Sequence, residues 1–110
     1  MNGHEVLVLK LSAEWCGPCK LIASPAEEMF SRLTDKGAKC VLVDVDESID
    51  LYAFLKTNKQ VSGIPAILAY VPSQEDDWYV PKLTMTGADV DELREFERGV
   101  KSLMSSYNVV

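Results

Sequence analysis

Two short and almost continuous runs of apolar residues in the first half of the chain are typical of buried β-strands. Val6–Leu9 and Leu11 form the first run, which only Lys10 interrupts. Cys40–Val45 forms the second run. Strands that are covered on both faces show this continuous pattern, whereas half-exposed strands alternate. The pattern therefore predicts two buried strands, the first with a charged residue inside it.

The segment between these runs has the periodicity of a helix. Pro18 suits its first turn and Gly37 suits its end. The apolar positions of this predicted helix are Leu21, Ile22, Met29, Phe30 and Leu33. Pro25 predicts a kink inside the helix, because proline lacks the backbone N–H and clashes with the preceding turn. A shorter helix is predicted from its N-cap Ser48 through Leu55.

The second half of the chain predicts two more strands and a closing helix. Gly63-Ile64-Pro65 leads into an apolar strand, Ala66–Val71, which a polar and acidic loop, Pro72–Val80, follows. Pro81–Met85 predicts the last strand. Asp89 begins an Asp-led capping box, so a helix is expected after it. The apolar positions of this helix are Leu93, Phe96, Val100, Leu103 and Met104.

The predicted elements follow the order β-α-β-α-β-β-α. The first two strands, joined by a helix, should be parallel through a right-handed crossover. The last two strands are joined directly and should be antiparallel. We therefore expect an α/β fold in which helices flank a four-stranded mixed sheet. The 110 residues fit a single domain, 1–110.

Composition narrows the range of functions. The chain is 47% hydrophobic and 25% charged, as an ordinary globular protein is. Its net charge of −6 would repel a phosphate backbone, which disfavours nucleic-acid binding. No apolar run approaches the about 20 residues that a bilayer span needs. Met1–Glu5 lacks the basic start of a secretory signal, so we expect a cytoplasmic protein without a membrane partner.

Three cysteines are present, an odd number that does not suggest a framework of structural disulfides. Cys40 stands alone at the start of a strand and is expected to be a small core residue. Cys16 and Cys19 have C-x-x-C spacing, which in a reducing compartment favours a redox-active or metal-binding pair. We expect no metal, because a zinc site would need further ligands from another chain.

Cys16 and Cys19 fall at a predicted turn from a strand into a helix. The N-terminus of a helix presents unpaired N–H groups and a partial positive charge, which stabilise an anion. Cys16 is therefore expected to have a lowered thiol pKa and to be partly thiolate near neutral pH. Cys19 lies one turn further in, where it can attack a mixed disulfide on Cys16 and release the substrate. Trp15 would shield one side of the site.

Two motifs of this chain resemble those of the thioredoxins. The run Ala13-Glu14-Trp15-Cys16-Gly17-Pro18-Cys19-Lys20 is similar to their active site, and Gly63-Ile64-Pro65 is similar to their cis-proline loop. The resemblance extends from Val6 to Met104. Both motifs together, each beside a predicted strand, are far more specific than a lone C-x-x-C. The resemblance implies the thioredoxin-like fold.

The resemblance also implies roles for individual residues. Cys16 would be the attacking nucleophile, and Cys19 would be the resolving cysteine. Pro65 would be cis and lie against the disulfide, while Ile64 would offer backbone groups to a bound peptide. The other residues of the implied substrate-binding surface are Trp15, Gly17, Pro18, Val45, Thr86 and Gly87.

A member of this family is expected to reduce protein disulfides by dithiol–disulfide exchange. Its electrons would come from a separate reductase, and it would work as a monomer without a bound cofactor. Gly17-Pro18 between the cysteines resembles the reducing members of the family, and it differs from the Pro-Tyr of glutaredoxins. Two alternatives stay open: a disulfide oxidase or isomerase with a raised potential, and a binding or accessory module whose cysteines are incidental.

Lys10 departs from the family pattern, because thioredoxins usually carry a buried Asp five residues before the active-site Trp. The family's usual lysine on the next strand is replaced by Leu42. An ammonium group near the sulfurs would favour thiolates, stabilise the reduced form and make the pair more oxidising. We therefore include Lys10 among the catalytic candidates. The alternative is that Lys10 reaches the surface and has no role.

The start of the chain is a second departure. Only five residues precede the first predicted strand, too few for the leading strand and helix of the family. Without them, Cys40–Val45 becomes an edge strand with unpaired backbone groups. The N-terminal tail or a partner could cover that edge.

Overall fold

The computed structural model describes residues 6–71 and 80–107 of the chain. Its strands and helices agree with the predicted order, except that two helices replace the first one. The elements are β1 (Leu7–Ser12), α1 (Gly17–Leu21), α2 (Ala23–Asp35), β2 (Lys39–Asp44), α3 (Ile49–Thr57), β3 (Ala66–Tyr70), β4 (Leu83–Thr86) and α4 (Val90–Tyr107). The predicted loop Pro72–Val80 lies outside the described residues except for Val80.

The four strands form one sheet in the order β2-β1-β3-β4. β1 and β2 are parallel, and β3 is antiparallel to both β1 and β4. The β1–β2 and β3–β4 directions confirm the predictions, and the antiparallel pairing of β1 with β3 is a further finding. The parallel ends of β1 and β2 leave Ser12 opposite Asp44, so the two chain segments that follow these strands start at the same edge of the sheet.

Pro25 divides the first predicted helix in two. Ile22 lies between α1 and α2 with φ −101° and ψ 0°, outside the helical range. Proline at position 25 has no N–H to donate to the carbonyl of Leu21, four residues earlier, and its ring crowds that carbonyl. The break therefore falls one turn before the proline, and the predicted kink is confirmed. The short helix α1 contains Cys19, and Cys16 is its N-cap.

Helices cover both faces of the sheet. One apolar cluster contains β1 and β3 residues such as Val8 and Ile67, with Met29 of α2 and Val100 of α4. The other cluster, on the opposite face, contains Leu11, Leu68, Leu55 of α3 and the two motif cysteines. Alternate residues of β3 belong to different clusters, which explains why the apolar run of this strand is continuous.

The prediction that β2 is a buried strand is wrong. Leu42 is 59% exposed and Val41 is 37% exposed. β2 pairs only with β1 among the described strands, so it lies at the edge of the described sheet. An edge strand loses cover on its open side, which a continuous apolar run cannot reveal. Cys40 is accordingly half-buried, although it still packs against the first cluster.

The first residues of β4 and α4 are explained by the residues that directly precede them. β4 begins at Leu83 rather than at Pro81, which has no N–H for the strand ladder. Asp89 caps α4, because its Oδ1 accepts the N–H groups of Asp91 at 2.8 Å and Glu92 at 3.2 Å. No helix in residues 6–71 and 80–107 is long and apolar enough to cross a membrane.

Candidate redox site

The turn between β1 and α1 places Cys16 at the start of a helix. Cys16 is the N-cap of α1, with extended φ −88° and ψ 107°. Its N–H donates to the carbonyl of Ala13 at 3.2 Å, which closes the turn. Pro18 lies in the first turn of α1, where a missing N–H costs no hydrogen bond. The strand-to-helix turn predicted for the motif is thereby confirmed.

Cys16 and Cys19 form a disulfide, with their Cα atoms 5.3 Å apart. The backbone N–H of Cys19 donates to Sγ of Cys16 at 3.2 Å. After reduction, this N–H would face the Cys16 thiolate and stabilise its negative charge, as helix N-termini stabilise anions. Both cysteines are buried at 4% exposure. The Cα separation lies within the range that a disulfide requires.

Trp15 stands beside the disulfide as an exposed aromatic surface. Its side chain is 67% exposed. The indole Nε1 donates to Oδ2 of Asp46 at 2.9 Å, and this bond fixes the orientation of the ring. Asp46 is itself positioned by its backbone N–H, which donates to Oδ1 of Asp44 at 2.8 Å. The sequence prediction missed Asp46 as a site residue, although its position directly after β2 was a signal.

The second motif packs, through Ile64, against the apolar cluster that contains both cysteines. The Ile64–Pro65 peptide bond is cis, as the resemblance implied. Pro65 is buried, and its carbonyl accepts the N–H of Gly87 at 2.9 Å. Gly87 has φ +101°, a conformation that side chains rarely adopt. This bond ties the end of β4 to the proline loop, so that exposed Thr86 and half-buried Ile64 border the loop.

Val45 does not belong to the exposed surface that the resemblance implied. It is buried at 3% exposure and packs in the same cluster as both cysteines. Its side chain therefore supports the site from below, since it has no surface to offer a substrate. Gly17 and Pro18, in contrast, are exposed beside the disulfide.

Lys10 lies behind the disulfide rather than on the surface. Only 4% of the residue is exposed, so Lys10 is a buried residue, and its role in the chemistry stays a prediction. It lines a crevice of about 250 Å³ that Cys19 and Glu27 also line. Burial lowers the pKa of Lys10, while the negative charge of Glu27 raises that pKa in part. The sequence prediction missed Glu27, because helical periodicity does not show which strand a charged residue of the helix will lie near.

Metal binding receives no support from the geometry. Across the described ranges 6–71 and 80–107, no three His, Cys, Asp or Glu side chains gather where they could hold a metal ion. Cys40 is distant in sequence from the motif, and burial raises the pKa of its thiol, with a hydrogen bond to Thr34 acting in the opposite direction. A protonated thiol is neither a good nucleophile nor a good ligand.

Comparison with known proteins gives concordant matches. The family model described as Thioredoxin matches residues 1–96. Thioredoxin H8 of Arabidopsis thaliana is 33% identical over 90 residues, which cover 82% of this chain and 53% of that protein. Thioredoxin H2-1 of Oryza sativa subsp. japonica is 33% identical over 105 residues, 96% of this chain and 65% of that protein. The chain thus spans between half and two thirds of these two relatives.

Comparison of the fold with solved structures also finds a thioredoxin. The crystal structure of the thioredoxin of Malassezia sympodialis superposes with a TM-score of 0.67 at 26% sequence identity, and the match covers 88% of this chain and 78% of that one.

Proposed function

The chain belongs to the thioredoxin family, and from this premise we propose that it reduces protein disulfides through a dithiol–disulfide cycle at Cys16 and Cys19. One observation carries the proposal: the two cysteines are joined in a disulfide at the start of a helix, with a backbone N–H directed at Sγ of Cys16. An exposed aromatic residue, Trp15, lies directly beside them.

The cycle has two steps, in which each bond formed replaces one that breaks. In the first, the Cys16 thiolate attacks a substrate disulfide, a mixed disulfide forms on Cys16, and one substrate sulfur leaves as a thiolate that takes a proton. In the second, Cys19 loses its proton and attacks Sγ of Cys16. The Cys16–Cys19 disulfide forms, the second substrate sulfur leaves, and two electrons have passed from the protein to the substrate.

Substrate binding would use the exposed surface around the disulfide. Trp15 would provide an apolar contact that the bond to Asp46 holds in place. The backbone of Ile64, before the cis-proline, would pair with an extended peptide, and Thr86 and Gly87 would border the peptide on the β4 side. Pro65 would keep this backbone beside the disulfide.

The direction of exchange, the electron donor and the compartment complete the proposal. Gly17-Pro18 between the cysteines supports reduction as the direction. A separate reductase would return two electrons to the disulfide, so no bound cofactor would take part. The protein would act as a monomer in the cytoplasm, where thiols are kept reduced.

The test is the reduction of a disulfide-linked peptide whose fluorescence is quenched until the bond opens, with dithiothreitol as electron donor. C16S should abolish catalysis. C19S that is reduced beforehand and freed of dithiothreitol should accumulate the mixed disulfide on Cys16, which mass spectrometry would detect. C40S is the matched control and should retain the rate of the parent chain. Full activity in C16S/C19S would refute the proposal and favour a binding module whose cysteines are incidental.

Lys10 supports one other candidate function, a disulfide oxidase or isomerase. A buried ammonium beside Cys19 would stabilise thiolates, and a more stable reduced form is a stronger oxidant. Under this alternative, the oxidised protein would transfer its disulfide to reduced substrates faster than the reduced protein opens their disulfides. Comparison of the two rates with the same peptide decides between the directions.

A further inference from the structure

A charged crevice borders the redox site at Cys19. It lies between the β1–β2 edge of the sheet and the helices α1 and α2. The sulfur-bearing Cys19 contributes to its wall, so the crevice reaches the resolving cysteine. The charged side chains that line it come from β1, the following turn, α1, α2 and β2: Lys10, Glu14, Lys20, Glu27 and Asp44.

Among the charged residues that line the crevice, Lys10 is the buried one. Within residues 6–71 and 80–107, no close ion pair offsets the cost of removing its charge from water. Among the described residues, the ion pairs within 4.0 Å all involve other cations. Glu27 is the carboxylate whose charge acts on Lys10. Asp44 is engaged elsewhere, because its Oδ1 accepts the N–H of Asp46 at 2.8 Å. Glu27 is exposed, so it lies toward the mouth of the crevice.

The position of the Lys10 ammonium decides how strongly it acts on Cys19. A lysine head group sits on a flexible stem of four carbons, and a carboxylate at the mouth attracts it away from the sulfur. Any direct action of Glu27 on Cys19 is weak, since charges exposed to solvent are screened. Its action through Lys10 is stronger, because Lys10 is buried and lines the same crevice as Cys19.

We propose that Glu27 is a positioning residue of the redox site, which draws the Lys10 ammonium toward the crevice mouth and thereby limits the thiolate character of Cys19. The inference rests on the proposed function, since it concerns the second step of the cycle. In that step the Cys19 thiol gives its proton to water in the crevice, and the thiolate then attacks Sγ of Cys16. Lys10 accelerates the step, and Glu27 restrains Lys10.

The test separates the two steps by stopped-flow reaction of the reduced C40S protein, and of variants built on it, with an aromatic disulfide, 5,5′-dithiobis(2-nitrobenzoate). C40S is used because Cys40 is a third thiol that would release the same coloured product. Attack by Cys16 releases one coloured thiolate, and attack by Cys19 on the mixed disulfide releases the second. At pH 7 and low salt, E27Q should accelerate the second phase about threefold, and K10M should slow it about tenfold. The first phase should change little in either variant.

The double variant K10M/E27Q tests whether Glu27 acts through Lys10, and its second phase should equal that of K10M. E28Q is the matched control, because it removes the same charge from the adjacent residue of α2, where Glu28 acts on Arg32 instead. An unchanged second phase in E27Q, or an equal acceleration by E27Q in the K10M background, would overturn the inference. A parent chain that lacks the second phase would instead refute the proposed function.

Discussion

Replacement of Lys10 by Met should make the folded protein more stable. Met has nearly the length of Lys but no charge, and position 10 is enclosed between Leu42 and Ile67 on the neighbouring strands. Replacing even a paired buried charge by apolar groups of similar volume is neutral or stabilises a protein by about 1–4 kcal/mol, and an unpaired buried charge carries the desolvation cost without the compensating attraction. Because the Lys10 crevice is open to water, we expect the lower part of that range, about 1–2 kcal/mol.

The pH dependence of this gain follows from the direction of the Lys10 shift. Burial holds the folded-state pKa of Lys10 below its unfolded value of 10.5. Between those two values the unfolded chain binds more protons than the folded one, so the stability of the parent protein rises with pH. K10M has no such titration. Its advantage should therefore be complete below the folded-state pKa of Lys10 and should shrink as the pH rises toward 10.5.

Thermal unfolding of the oxidised proteins at several pH values between 7 and 10.5 measures this effect. At pH 7, a gain of 1–2 kcal/mol should raise the Tm by roughly 5–10 °C for a domain of this size. K20M is the matched control, since Lys20 lines the same crevice but is exposed, and its Tm should stay near that of the parent. A lower Tm for K10M, or an advantage that does not vary with pH, would refute the reasoning.

Three further substitutions test separate parts of the structure. Glu97→Gln should lower the free energy of unfolding by about 1–3 kcal/mol at pH 7, as measured by urea unfolding. Because Arg32 lowers the pKa of Glu97, the difference between variant and parent should shrink as the pH falls below 4.5. Asp46→Ala, which removes the partner of Trp15, should slow attack by Cys16 on a peptide disulfide by up to about fivefold in stopped-flow. Asp89→Ala should lower stability by about 1 kcal/mol in calorimetry and leave exchange rates unchanged.

The Glu97 prediction rests on a contact between two helices. Nε and Nη2 of Arg32 in α2 each donate to a different carboxylate oxygen of Glu97 in α4, both at 2.8 Å. Lys101 adds an ion pair at 3.2 Å. The carboxylate is nearly buried, so its loss leaves paired cations without a partner. A Glu97→Gln variant as stable as the parent at pH 7 would contradict this account.

Local chemistry explains which parts of the fold the sequence could predict. The helix break before Pro25 and the cap at Asp89 depend on neighbours within four residues, so both could be predicted. The exposure of Leu42 depends instead on which strands flank β2, and an apolar run does not contain that information. The burial of Val45, which directly follows β2, could not be predicted for the same reason. It depends on packing against the cluster that contains both cysteines.

The same distinction holds for the site. Cys16 and Cys19 could be predicted because their spacing and the helix start are local, and the cis bond before Pro65 followed from the family resemblance. The Trp15–Asp46 bond joins residues that are 31 positions apart. Glu27 meets Lys10 only through the packing of α2 on the sheet. Contacts of this kind can be recognised only in the tertiary structure. They form the surroundings in which the C-x-x-C motif works.

The reduction potential of the Cys16–Cys19 pair tests the central claim most directly. It is measured by equilibration of the protein with defined ratios of reduced and oxidised glutathione, followed by quantification of both protein forms. We predict a value between about −270 mV, which is typical of thioredoxins, and about −200 mV, because Glu27 offsets part of the effect of Lys10. A value less negative than about −200 mV would contradict reduction as the physiological direction, and failure of the disulfide to form would contradict the redox function itself.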